Sequence, residues 1–194
     1  MNTKVIGVLF LICSVACAAD TGYVDDASRG APYDFRGLAL GMTLSQFKHA
    51  KAPIAGAGAK LVCETPLNAD EAARHLIRCA WTESGPDGRI RKSPLVLGDV
   101  LTRNYAFIFS ASGGKREMRL REIDIVGPVD ARGRIFRRLM DRFGEPCQPY
   151  VDDNNMVAIW SNAVSRIVLR SSVVDGKVRV RFTLRTGSAP DCSV

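Results

Sequence analysis

The sequence predicts an α+β fold in which helices pack on one face of an antiparallel sheet. Three observations carry that prediction. A strongly amphipathic segment follows Asp130, several short runs alternate apolar with polar residues, and turns rich in Gly and Asp separate those runs.

The first stretch of the 194 residues sets the compartment. Lys4 precedes an apolar run from Val5 to Ile12 and small residues ending Ala16-Cys17-Ala18-Ala19. This is the pattern of a secretory leader, too short for a bilayer span of about 20 residues. Residues 1–18 are therefore expected to be removed after Ala18, and the chain is expected to be periplasmic or secreted. The rival is lipidation of Cys17, which would anchor the chain to the outer membrane; Ser14 stands where lipoprotein signals usually carry Leu. Export favours disulfides, so Cys63, Cys79, Cys147 and Cys192 read as structural bridges. Of the three connectivities, the preferred one joins Cys63 to Cys79 and Cys147 to Cys192, keeping each bridge within one half of the chain. By loop entropy these are worth about 3 and about 4 kcal/mol. The spacings lack the close C-x-x-C pairs of zinc sites, and neither metal nor cofactor is expected.

Residues 19–33 carry few large apolar side chains and form a flexible lead-in to a single domain over residues 34–194. At Gly41-Met42-Thr43-Leu44-Ser45-Gln46-Phe47, Thr43 and Gln46 have capping-box spacing, and Met42 and Phe47 occupy the staple positions. A short helix starts there and cannot continue past Pro53. Asn68-Ala69-Asp70-Glu71 caps a further turn of helix. Leu76 to Trp81 reads as a buried strand, closed by Gly85-Pro86-Asp87-Gly88. Tyr105 to Ser110 and Met118 to Val126 form a hairpin around Gly113-Gly114. In its return strand Met118 and Leu120 share one parity while Ile123 and Ile125 share the other, so a bulge is expected near Arg121-Glu122.

Asp130 opens the longest helix. Ile135, Leu139 and Phe143 recur at helical spacing beside Phe136 and Met140, opposite Arg132, Arg134, Arg137, Arg138 and Arg142. Gly144 and Pro146 end it. Three strands follow, Val157 to Trp160, Arg166 to Ser172 and Lys177 to Arg185, the last two joined at Asp175-Gly176. Helix, cysteine loop, tryptophan strand and hairpin thus occur twice, in halves 34–127 and 128–194; an unrepeated α+β domain accounts for the pattern nearly as well.

The chain carries 27 Lys and Arg against 20 Asp and Glu, and the leader contributes only Lys4 to that excess. A two-residue turn at Asp175-Gly176 sets Arg170 opposite Arg181, Arg166 opposite Arg185 and Ser172 opposite Arg179 on the outer face, with Ile167, Leu169, Val173, Val178, Phe182 and Leu184 inside. Opposed like charges cost stability, by an amount comparable to the roughly 0.2–1 kcal/mol of favourable cross-strand pairs. The functional reading is a cationic platform of Arg166, Arg170, Arg179, Arg181 and Arg185 for an acidic protein surface or another anionic envelope component. The bland reading is a solvated face, with the arginines splayed or partnered by Glu117, Glu122 and Asp124.

No residues stand out as catalytic. His49 and His75 lack metal-ligand spacing, there is no G-x-S-x-G elbow, and Asp152-Asp153-Asn154-Asn155 lacks the glycine and distal glutamate of a calcium loop. No helix-turn-helix, zinc finger or RNA-stacking signature appears, so sequence-specific nucleic-acid binding is not expected. Trp81 and Trp160 are expected to fill the core.

Gly41-Met42-Thr43 before Phe47, and Gly144-Glu145-Pro146 after a helix, resemble the G-M-T opening and G-x-P exit of two sets of small bacterial envelope proteins. These are the outer-membrane assembly lipoproteins of the SmpA/OmlA type and the β-lactamase-inhibitory-protein-like modules. The resemblance implies a non-catalytic protein binder with helices on a sheet. Three roles are expected in descending order: an exported, non-enzymatic protein-binding module acting as an assembly accessory or inhibitor; a carrier or sensor of an anionic small molecule or lipid; and a hydrolase with a dispersed acidic site.

Overall fold

The computed structural model describes residues 30–50, 58–64, 69–111 and 117–185. The leader, Cys17, Pro53, the Gly113-Gly114 turn and Cys192 lie outside them. In chain order the elements are β1 (Asp34–Phe35), β2 (Leu38–Ala39), α1 (Leu44–His49), β3 (Lys60–Glu64), α2 (Ala69–Ala73), β4 (Leu76–Ser84), β5 (Ile90–Lys92), β6 (Leu95–Leu97), β7 (Val100–Thr102), β8 (Asn104–Ala111), β9 (Met118–Pro128), α3 (Arg132–Phe143), β10 (Gln148–Val151), β11 (Asn155–Ser161), β12 (Ser165–Ser172) and β13 (Lys177–Leu184).

One antiparallel sheet dominates, in the order β10-β11-β12-β13-β9-β8-β4-β3, with β5 added beside β4. It is two meanders, β3-β4-β8-β9 and β10-β11-β12-β13, which meet through their last strands, β9 and β13. The expected α+β arrangement with helices packed on a face is overturned, because 53% of the chain is strand and only one helix is substantial. Local chemistry explains the shortfall. The capping box at Thr43 and Gln46 starts α1, but the Ala50 N–H closes on the Phe47 carbonyl and stops it after six residues. The five residues of α2 end at Ala73, two before His75, whose φ is +50°. Two small hairpins supply much of the cover that helices were expected to give. β1–β2 buries Phe35 and Leu38, and β6–β7 buries Leu95, Leu97 and Val100.

Phe47 is the one fully buried side chain of α1, and its ring lies 5.0 Å from each of Trp81, Phe107 and Phe109. In the second meander α3 buries Ile135 and Leu139, while Phe136 lies 6.0 Å from Trp160. The Trp160 indole N–H donates to the Gly144 carbonyl at 2.7 Å, tying the end of α3 to β11. Gly144 takes φ +77°, a value few other residues tolerate, as a helix stop requires. Both tryptophans are buried.

The slip of parity in β9 is a bulge. Ile108 pairs with Glu122 and Phe109 with Leu120, leaving Arg121 as the extra residue. Leu120, Ile123 and Ile125 are thereby all fully buried. The last hairpin differs from expectation in one respect. Ser172 pairs with Lys177, so the loop holds Val173 to Gly176 rather than two residues, and Arg170 faces Arg179 while Val168 faces Arg181 and Arg166 faces Thr183. The slip is an even number of residues, so the side chains that remain in the two strands keep their faces, while Val173, expected inside, does not. Val173 and Val174 are displaced into the loop and exposed. Cys63 and Cys79 are directly paired on β3 and β4 and form a disulfide; Cys147 is also disulfide-bonded.

The Tyr105 hydroxyl reaches the carbonyls of both Trp81 (3.1 Å) and Ser93 (3.0 Å), and burial pushes its pKa up to about 12. Phe47→Ala is expected to lower unfolding stability by about 3–5 kcal/mol, measured by denaturant titration. Tyr105→Phe removes the hydroxyl from both carbonyls, of which Trp81's still accepts from the Ser93 N–H at 2.9 Å, and should cost about 1–2 kcal/mol. Because the folded protein holds this proton more tightly than the unfolded chain, stability intact below pH 10 falls as pH rises toward 12. The Phe variant should lack that component of the fall.

Candidate binding surface

The register sorts the outer face of the sheet into rows of side chains running across the strands. One row reads Tyr150, Val157, Arg170, Arg179, Val126 and Asn104; the next reads Ile159, Val168, Arg181, Asp124 and Ala106. A third runs from Ser161 through Arg166, Thr183, Glu122, Ile108 and Arg78 to Glu64. The five arginines of the predicted platform therefore come from two adjacent strands and the residue after β13, but their circumstances diverge.

Arg181 and Arg179 are drawn toward β9. Arg181 Nε lies 3.1 Å from Glu122 Oε1 and 3.9 Å from Asp124 Oδ1, and Arg179 Nε lies 3.3 Å from the same Asp124 oxygen. This alternating ladder neutralises much of the first meander's half of the face. Glu122 is partly buried there, and burial raises its carboxyl above the usual range despite the opposing pull of Arg181. Glu117 is spent elsewhere, pairing with Arg119 at 2.6 Å. Arg185 donates to the Asn162 carbonyl at 2.6 Å and to Ser161 Oγ at 3.4 Å, fastening the β11–β12 turn.

Arg166 and Arg170 differ from these three. Both are exposed, and neither makes an ion pair with a described residue. Arg170 is flanked by Val157 on one side and by Arg179 on the other. It lines a depression of about 740 Å³ on this face, together with Tyr150, Val157, Lys177, Arg179 and Val126. At its rim Asp152 accepts from the amides of Asn154 (2.9 Å) and Asn155 (2.5 Å) and from the Tyr150 hydroxyl (3.0 Å). Those amide bonds hold the Asp152 carboxyl below the ordinary aspartate range, and the bond to Asp152 raises the Tyr150 phenol. The Asp152–Asn155 segment is thus a turn stabilised by its own carboxylate.

Comparison of the chain with family models, with curated proteins and with solved structures finds no match in any of the three. What the face can do follows from its own chemistry. Arg170, a guanidinium with no carboxylate partner among the described residues, stands in an open depression beside Val157 and Tyr150, a chemistry suited to carboxylate or phosphate. Among the described residues no group of His, Cys, Asp and Glu is placed to hold a metal ion. His49 Nδ1 lies 2.8 Å from the Ser45 carbonyl, within its own helix. The arginines of α3 lie on the other side of the molecule, where Arg142 pairs with Asp34 (2.6 Å), Arg134 with Asp99 (3.6 Å) and Arg138 with Asp141 (3.9 Å).

The sequence reading did not include Tyr150, Val157 or Lys177 in the site. Tyr150 belongs to β10, a four-residue strand interrupted by Pro149; a proline amid apolar residues beside Asp152-Asp153 is the signature of an edge strand.

Arg181→Gln removes the largest influence holding down the Glu122 carboxyl, so its pKa should rise further. For an acid raised on folding, stability is greatest below the unfolded value and is lost as pH climbs through the folded one. The variant should therefore lose stability over a window reaching to higher pH than wild type, and Glu122→Gln should abolish that component in either background, read by denaturation across pH 4–8.

Proposed function

We propose that this chain is an exported, non-catalytic protein-binding module of the bacterial envelope, an assembly accessory or inhibitor, whose partner presents an acidic surface to the outer face of the sheet. The observation that carries this reading is Arg170, set directly opposite Arg179 and without a carboxylate of its own on an open, concave face. The like-charge pair adds nothing to folding, and an approaching carboxylate relieves it. The leader pattern of residues 1–18 supports the compartment, and the Cys63–Cys79 bridge is consistent with it. The resemblance of Gly41-Met42-Thr43 and Gly144-Glu145-Pro146 to envelope binding modules points the same way.

A carrier of an anionic small molecule is the second reading. The depression falls within the 300–1,000 Å³ range of ligand sites, which favours it. Such sites are predominantly apolar, whereas this one is charged and open, so the protein partner ranks first.

The test is capture of partners from envelope extract by wild type and by an Arg166→Glu, Arg170→Glu variant. Loss of a partner from the variant, and its release from wild type when salt rises from 0.05 to about 0.5 M, is the expected result. An identical set of partners for both proteins, insensitive to salt, overturns the reading.

A further inference from the structure

Resting on the binding role proposed above, we infer that the occupant of the depression is an extended protein segment carrying an apolar side chain followed by alternate carboxylates, laid across β10 to β13 from Tyr150 to Arg179. The row Tyr150, Val157, Arg170, Arg179 runs perpendicular to the strands. With strands about 4.8 Å apart, Arg170 lies about 10 Å and Arg179 about 14 Å from Tyr150 at backbone level. In an extended chain the side chains on one face recur about every 6.7 Å. An apolar residue resting on Tyr150 and Val157 therefore brings the side chain two positions on to the reach of Arg170, and the one four positions on to Arg179.

The polarity of that segment is also fixed. Tyr150 is 59% exposed and hydrogen-bonded to Asp152, whose ionised carboxylate repels acidic groups from that end of the row. At the other end Asp175 lines the depression beside Lys177, so it is the arginine pair Arg170 and Arg179 that attracts them. Val173 and Val174, exposed in the loop after β12, add apolar surface at the same end of the strands. Other occupants fit less well. A second copy of a chain with net charge +7 would set arginine against arginine. A planar bilayer surface would leave the depression unfilled.

The experiment uses the leaderless chain and the peptide acetyl-Phe-Thr-Glu-Thr-Glu-Thr-amide in isothermal titration calorimetry. A rearranged peptide of the same composition, acetyl-Glu-Glu-Thr-Thr-Phe-Thr-amide, and phosphatidylglycerol vesicles serve as comparisons. We expect the first peptide to bind at least about fivefold more tightly than the second, and Tyr150→Ala and Arg170→Gln each to weaken it about fivefold or more. Both side chains are exposed, so unchanged melting temperatures would separate lost contact from lost folding. Equal affinity for the two peptides, indifference to Tyr150→Ala with retained sensitivity to Arg170→Gln, or no binding by wild type overturns the segment while leaving the cationic face intact. Vesicle binding that depends on Arg170, in place of peptide binding, replaces the protein segment with a lipid surface. Indifference of every probe to both substitutions overturns the segment and the cationic-face reading together.

Discussion

Both faces of the molecule depend on a single extra residue, Arg121, in the bulge of β9. Leu120 before the bulge and Ile123 and Ile125 after it all point into the core only because the alternation is reset between them. The same reset turns Glu122 and Asp124 outward, opposite Thr183 and Arg181 on β13. Without it the two carboxylates would enter the space lined by Phe107 and Phe109, and two isoleucines would face solvent. Burying unpaired carboxylates costs far more than the bulge disrupts, so the bulged register is strongly selected. The core of the first meander and the charge pattern of the sheet's outer face are one constraint seen from two sides.

That constraint has an electrostatic consequence across the junction of the meanders. β9 brings acids from the first meander and β13 brings arginines from the second, and the ladder Glu122, Arg181, Asp124, Arg179 cements their seam. Exposed ion pairs contribute only about 0.2–1 kcal/mol each, but these carboxylates are largely buried and share partners, so removing one member disturbs its neighbours. Positive charge left over after this neutralisation lies one strand further out, on β12. The site therefore sits off the centre of the sheet, toward β11 and β10.

What was legible in the sequence was whatever short-range chemistry dictates. The capping box at Thr43 and Gln46, the broken alternation around Arg121, the helix stop at Gly144 and the inner face of the last hairpin all stand where their residue patterns place them. What failed were inferences that depend on competition between distant parts. The segment from Ile90 to Thr102 carries no strong periodicity, and it forms strands because β4 offers an edge to β5 and because the core needs a cover at Leu95 and Leu97. The amphipathic segment after Asp130 does form a helix, but the rest of the expected helical layer rested on caps, which mark where a helix begins and leave its length open. The loop of the last hairpin illustrates the same limit. Asp175-Gly176 is a strong two-residue turn signal, yet the Val173 N–H donates to the Asn154 carbonyl just before β11, a bond across strands that draws Val173 out of the pairing with β13.

The even slip of that hairpin also explains why the arginines of β12 and β13 keep to one face although their pairing differs from the expected one. Side chains alternate with period two, so a shift of two residues exchanges neighbours without exchanging faces. Arg170 lost Arg181 and gained Arg179, and the exchange matters more than it looks. Opposite Arg181 it would have stood within the ladder's own row of carboxylates. Opposite Arg179 it shares a row with Val126, Val157 and Tyr150, none of them acidic. The repulsion between the two guanidinium groups is therefore only partly offset within the fold, through Asp124's contact with Arg179 alone. A carboxylate arriving between them gains two charge-assisted contacts and removes a repulsion that the free protein carries. On the proposed reading a small cost to folding becomes a contribution to binding, beside the apolar surface of Val157 and Tyr150.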